Sequence, residues 1–156
     1  MRALIQRVSH ASVTIEGNVC GRINRGLVVF LGVKSGDTAE DAVYLASRLA
    51  SLRIFNDAEE KMNLSVRDIG GNVLIISQFT LHADTKKGNR PSYTHAAEPE
   101  LAEELYNIFI HELGQMLGAD RIATGIFRAM MSVELVNEGP VTIMLQSKSE
   151  YLQKTA

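Results

Sequence analysis

The chain is 156 residues long with a net charge of −2, the size of one domain, which buries roughly 70% of its unfolded surface and needs no metal or disulfide to fold. The single Cys20 has no internal partner, no segment reaches the ~18 apolar residues of a membrane span, and no amino-terminal leader pattern is present, so a reducing cytoplasm is the expected home. The slightly acidic balance gives no global attraction to nucleic acid, and any RNA contact must be local.

The first third reads as strands. Residues 4–8 lead into 11–16, where Val13 and Ile15 alternate with Ser12, Thr14 and Glu16, one face apolar and one polar. Gly17-Asn18 marks a turn, 19–24 returns as a short strand, and after Gly26 the run 27–33 is apolar on both faces and therefore central. Asp37 with Glu40 predicts a helix start, and Ala42, Leu45, Ala46, Leu49 and Leu52 continue at helical spacing up to Ile54-Phe55. Residues 56–72 turn polar, with 57–61 a solvated loop and Val66 to Ile69 at most a short strand.

Val73-Leu74-Ile75-Ile76 follows the turn signal Gly70-Gly71-Asn72 as a buried strand, and it runs into Ser77-Gln78-Phe79-Thr80-Leu81-His82. Hydroxyls and an amide there fall where the backbone must leave a sheet, a common place for a site. A long loop, 82–98, precedes a second helix from about Pro99 to Leu117, with Leu101, Leu105, Ile108, Phe109, Leu113 and Met116 along one stripe. Strands at 122–124, 131–136 and 141–145 close the chain. The expected architecture is α/β: a single domain over 1–156, with a large mixed, barrel-like β-sheet covered by two main helices.

Several chemistries lose their warrant. There is no Gly-rich phosphate loop, no paired-cysteine motif and no His-Glu-x-x-His, and the four histidines are scattered, so no metal or cofactor is expected. Ser77 or Thr80 with His82 and Asp84 has the composition of a hydrolytic triad. On a strand, however, Gln78, Thr80 and His82 project in parallel and do not meet end to end. An internal threonine also lacks the terminal amine that activates threonine nucleophiles. Backbone amides near Phe79 and Thr80, freed at the strand end, offer oxyanion stabilisation worth roughly 3 kcal/mol per well-aimed donor.

Two further segments stand out. Asn137-Glu138-Gly139-Pro140-Val141-Thr142 interrupts two strand patterns and reads as a hairpin turn, although its Gly-Pro pair can also present main-chain oxygens to a ligand. Lys86, Lys87 and Arg90 gather in the loop after the polar strand end. They form a local basic patch suited to a phosphate-bearing substrate.

Ser77-Gln78-Phe79-Thr80-Leu81, Gly88-Asn89-Arg90-Pro91-Ser92 and Asn137-Glu138-Gly139-Pro140-Val141-Thr142, in this order and with the opening 1–13 segment, resemble the D-aminoacyl-tRNA deacylase family over nearly the whole chain. The resemblance implies a homodimer that hydrolyses the ester linking a D-amino acid, or glycine, to the terminal adenosine of tRNA. It implies a cis Gly139-Pro140 peptide that enters the partner's pocket, where main-chain carbonyls hold the substrate amino group and exclude an L side chain. It assigns Ser77, Gln78, Phe79 and Thr80 to the pocket wall and the oxyanion donors. Thr80 is the nucleophile in one view of the family, and the RNA 2′-hydroxyl activates water in another. Arg7 is carried over as a support of the Gly-Pro turn, while contact of Lys86, Lys87 and Arg90 with the tRNA acceptor end is inferred from charge and position.

Two competing readings are a hydrolase using Thr80 covalently and a non-catalytic RNA-binding module. The second lacks a basic helix and a cluster of aromatics for stacking bases.

Overall fold

Alternation in the opening residues produces one strand, not two pieces. In the computed structural model, which describes residues 1–152, β1 runs without a break over Arg2–Ile15. Glu16 and Gly17, with φ of 49° and 82°, form the two-residue turn that hairpin twist favours, so Asn18 already belongs to β2 (Asn18–Ile23).

β3 (Gly26–Gly32) pairs antiparallel with β1 and parallel with β6 (Asn72–Ser77). The six-stranded sheet runs β2-β1-β3-β6-β7, with β7 at Ile122–Thr124 and β8 (Ser132–Gln146) on the remaining edge of β1. Its two ends approach each other: a Cβ added to Gly21 of β2 would lie 2.7 Å from the Thr124 carbonyl of β7. The sheet is therefore a nearly closed barrel, and a side chain at position 21 would wedge it open.

Barrel closure explains why β3 and β6 are apolar on both faces. Val28, Leu74 and Ile76 point inward to pack with Val8 and Val13, while Leu27, Val29, Val73 and Ile75 face outward beneath the helices. The helices α1 (Ala39–Ala50) and α2 (Pro99–Leu117) bury Leu45, Leu49, Phe109 and Leu113 against that outer face. Each such side chain contributes roughly 1.5–3 kcal/mol. A short α3 (Lys148–Leu152) completes the described elements. This is the expected mixed single domain, and among the described residues no helix is long and apolar enough to cross a membrane.

Two expectations shift and a third is filled out. Helix α1 starts one residue later than predicted: Asp41 accepts from the Thr38 amide at 3.0 Å, whereas Asp37 turns to the Lys34 amide at 2.6 Å. Val66 to Ile69 is a run of turn, not a strand, because Asp68 binds the Ser65 amide at 2.7 Å and closes the backbone on itself. The solvated loop 57–61 is the tip of a small hairpin between β4 (Phe55–Asn56) and β5 (Met62–Leu64).

Candidate active site

The β6 ladder ends where the Gln78 amide donates to the Leu31 carbonyl at 2.8 Å. Beyond it the chain does not continue as a strand but coils into a 3-10 turn, Phe79–His82. The parallel projection of Gln78, Thr80 and His82 is thereby replaced. His82 turns inward and is buried, while Phe79 turns outward and is 56% exposed. The turn lies over Gly32, where an added Cβ would sit 2.8 Å from the Gln78 carbonyl and 3.1 Å from Leu81 Cβ. It is held from beneath, since Arg2 Nη1 donates to the Leu81 carbonyl at 2.9 Å and His82 Nε2 meets the Gly32 carbonyl at 3.1 Å.

That contact places the imidazole proton on Nε2, because a carbonyl only accepts. Burial pushes the His82 pKa below its usual value, so the ring is neutral, against the smaller opposing effect of the Gly32 contact. Its Nδ1 faces Glu150 Oε1 across 3.8 Å. Burial pushes Glu150 upward, but the hydrogen bonds and charge of Arg2, at 3.1 and 3.3 Å, outweigh it and hold the carboxyl below the usual range.

A turn that leaves the sheet frees its first amides. The N–H groups of Phe79 and Thr80 have no acceptor among the described residues. Ser77, Gln78 and Phe79 line a cavity of about 460 Å³. Thr80 does not line it, and its hydroxyl accepts from Gln78 Nε2. No triad assembles, because His82 is engaged by Gly32, and Asp84 binds the Lys86 amide at 2.9 Å and faces His95 at 3.8 Å. Among the described residues no group of three or more His, Cys, Asp or Glu side chains is arranged for a metal.

The segment 137–142 is not a hairpin turn. β8 stays paired with β1 on both sides of it, but the register passes from Gln6 opposite Thr142 to Val8 opposite Asn137, so the intervening residues loop out as a tongue. Asn137 ties its base, accepting from the Val141 amide at 3.2 Å and donating to Thr142 Oγ1 at 3.0 Å. Gly139-Pro140 is cis, exposed, and absent from the cavity wall of its own chain. Buried Arg7 donates from Nε to the Glu138 carbonyl at 3.1 Å and from Nη1 to the Ile54 carbonyl at 2.7 Å, which fastens the tongue to the body.

Lys86, Lys87 and Arg90 occupy an exposed excursion closed by paired backbone bonds between Asp84 and Ser92 at 2.7 and 2.9 Å. They do not line the main cavity. Lys86 instead borders a second, polar cavity of about 340 Å³ with Arg2, Lys34, His82 and His95.

With this geometry in place, a family model described as D-Tyr-tRNA(Tyr) deacylase matches residues 4–146. The chain belongs to that family. A D-aminoacyl-tRNA deacylase of Koribacter versatilis is 57% identical over 97% of this chain and 100% of its own length. One of Syntrophobacter fumaroxidans is 54% identical over the same shares. A solved chain named c-Myc DNA Unwinding Element Binding Protein superposes with a TM-score of 0.90 at 39% identity, covering 94% of this chain and 99% of that one.

In this deacylase-family chain the far wall of the cavity escaped the sequence reading. It is built by Tyr106, Phe127, Arg128 and Met131. The available signal was the apolar cluster Ile126, Phe127 and Met130 between two predicted strands, with Met130 left 92% exposed.

Proposed function

We propose that the protein hydrolyses the ester joining a D-amino acid, or glycine, to the 3′-terminal adenosine of tRNA, releasing the free amino acid and the tRNA hydroxyl. The observation that carries this reading is the pair of Phe79 and Thr80 amides without an acceptor among the described residues, at the strand end whose Ser77, Gln78 and Phe79 line the cavity. As water attacks the ester carbonyl, its oxygen gains charge, and two fixed N–H groups stabilise that charge without reorganising, roughly 3 kcal/mol for a well-aimed donor. The carbon–oxygen bond to the ribose then breaks and its oxygen takes a proton.

Thr80 is not the nucleophile. Its hydroxyl accepts the Gln78 amide, and among the described residues no base is hydrogen-bonded to it. Activation of the water falls to the vicinal 2′-hydroxyl of the RNA. Chirality is read by Gly139 and Pro140 of a second copy, whose main-chain oxygens hold the substrate amino group and occupy the volume of an L side chain. The tongue supports this role by being exposed and taking no part in the wall of its own cavity, with Arg7 fixing its base. The functional unit is then a homodimer acting on tRNA in the cytoplasm, with Lys86, Lys87 and Arg90 against the acceptor end. No cofactor or metal takes part.

Deacylation of matched D- and L-aminoacyl-tRNA by the purified protein, with chelator present, tests this. The D ester and the glycyl ester should be cleaved and the L ester spared. Equal rates on the two enantiomers, or hydrolysis of none, would overturn the proposal, and loss of activity in chelator would remove its metal-free part.

A further inference from the structure

We infer that the ring of Tyr93 is a stacking platform for the unpaired nucleobase that immediately precedes the terminal adenosine of the RNA, an inference that rests on the deacylase function proposed above. Tyr93 is 41% exposed and stands against Phe79 edge to face, with ring centroids 5.0 Å apart and planes inclined at 70°. Phe79 in turn is a wall of the main cavity. The exposed aromatic surface therefore continues outward from the cavity, along the path by which a chain ending in it would leave.

The platform is fixed although the loop around it is open. Ser92 is paired with Asp84, the Tyr93 carbonyl accepts from the Ala96 amide at 3.0 Å, and the neighbouring His95 carbonyl accepts from the Ser35 amide at 3.1 Å. At the tip of the same excursion, a Cβ on Gly88 would meet nothing within 4 Å. The side chains of Lys86, Lys87 and Arg90 are exposed there and make no hydrogen bond or ion pair with the described residues.

An exposed aromatic face beside cations that lack protein partners is the pairing that binds single-stranded nucleic acid, the ring taking a base and the cations the phosphates. A second copy of this chain would bring the same cations with it, which disfavours this patch as a contact between copies. Every base has a π-face, so such a platform tolerates any nucleotide at that position.

The probe is a single-stranded RNA with 2-aminopurine directly 5′ of its terminal adenosine, a base whose fluorescence falls on stacking. The native protein should quench it. Tyr93→Leu should abolish the quench at saturating RNA and weaken binding roughly 5- to 150-fold, the worth of one stacked base, while leaving the salt dependence of binding unchanged. Tyr93→Phe should restore both quench and affinity. Joint replacement of Lys86, Lys87 and Arg90 by Ala should instead flatten the salt dependence and keep the quench.

A quench that survives in Tyr93→Leu overturns the inference, as does a change in the sedimenting mass of that variant, which would make the patch a contact between copies. Hydrolysis of D-aminoacyl-tRNA without a Tyr93-dependent quench removes the platform and leaves the enzyme. A Tyr93-dependent quench without hydrolysis keeps the platform and removes the enzyme.

Discussion

Gly139 adopts φ of +127°, and a Cβ there would lie 2.9 Å from Val141 Cγ2 and 3.0 Å from Arg7 Nη2. An L side chain at that φ costs about 1–3 kcal/mol before either contact is relieved. Gly139→Ala should therefore lower D-ester hydrolysis at least about tenfold and blunt enantiomer selectivity, and unchanged rates on both esters would rule out the tongue as the selector. Thr80→Ala removes one hydrogen bond worth about 1 kcal/mol. It should retain turnover within about tenfold, and an acyl group trapped on Thr80 by rapid quench and mass spectrometry would refute that. Arg7→Met should lower the melting temperature, because it strands the Ile54 and Glu138 carbonyls at about 1–3 kcal/mol each. Arg7 and Thr80, both named from sequence, hold hydrogen bonds in the structure. The contribution of Gln78 to Thr80 lay beyond sequence, since a hydrogen bond across a 3-10 turn leaves no periodic trace.

The 3-10 turn is the element on which the site depends, and it rests on the bare backbone of β3. Gly32→Ala would drive a methyl to 2.8 Å from the Gln78 carbonyl, which is main chain and cannot swing away. It should depress kcat more than KM, as measured on D-aminoacyl-tRNA. Burial lowers the His82 pKa from its ordinary 6.5, so between that value and the lowered one the unfolded chain binds more protons than the folded chain. Stability is complete above about 6.5 and declines as pH falls below it. Urea denaturation across that range should show the slope, and His82→Gln, which keeps a donor for Gly32, should flatten it. Helix α2 was legible from end to end because nineteen residues carry five turns of periodicity. Residues 66–69 and 79–82 were not, because four residues fit a period of two as well as a turn. The single strand β8 was misread as two, because what holds it together is β1, more than a hundred residues away in the chain.

For the whole molecule, the cavity and the tongue lie on one chain but do not meet on it. Sedimentation should give twice the 17.1 kDa of the chain. Mixing the impaired Gly139→Ala protein with the impaired Gly32→Ala protein, then allowing subunits to exchange, should raise activity above that of either alone, because the proposed composite sites of a mixed pair include one that is intact. No gain in exchanged pairs would argue against shared sites. The way β8 is fastened has a consequence for permissible change. It is zipped to β1 on both flanks, from Gln146 opposite Arg2 to Ser132 opposite Thr14, and a slip of one residue on either flank would exchange its apolar and its exposed face. The reach of the tongue beyond the sheet is thus fixed. The chain can gain or lose residues at 57–61, whereas one residue added between 137 and 142 would change how far the tongue stands out from β1.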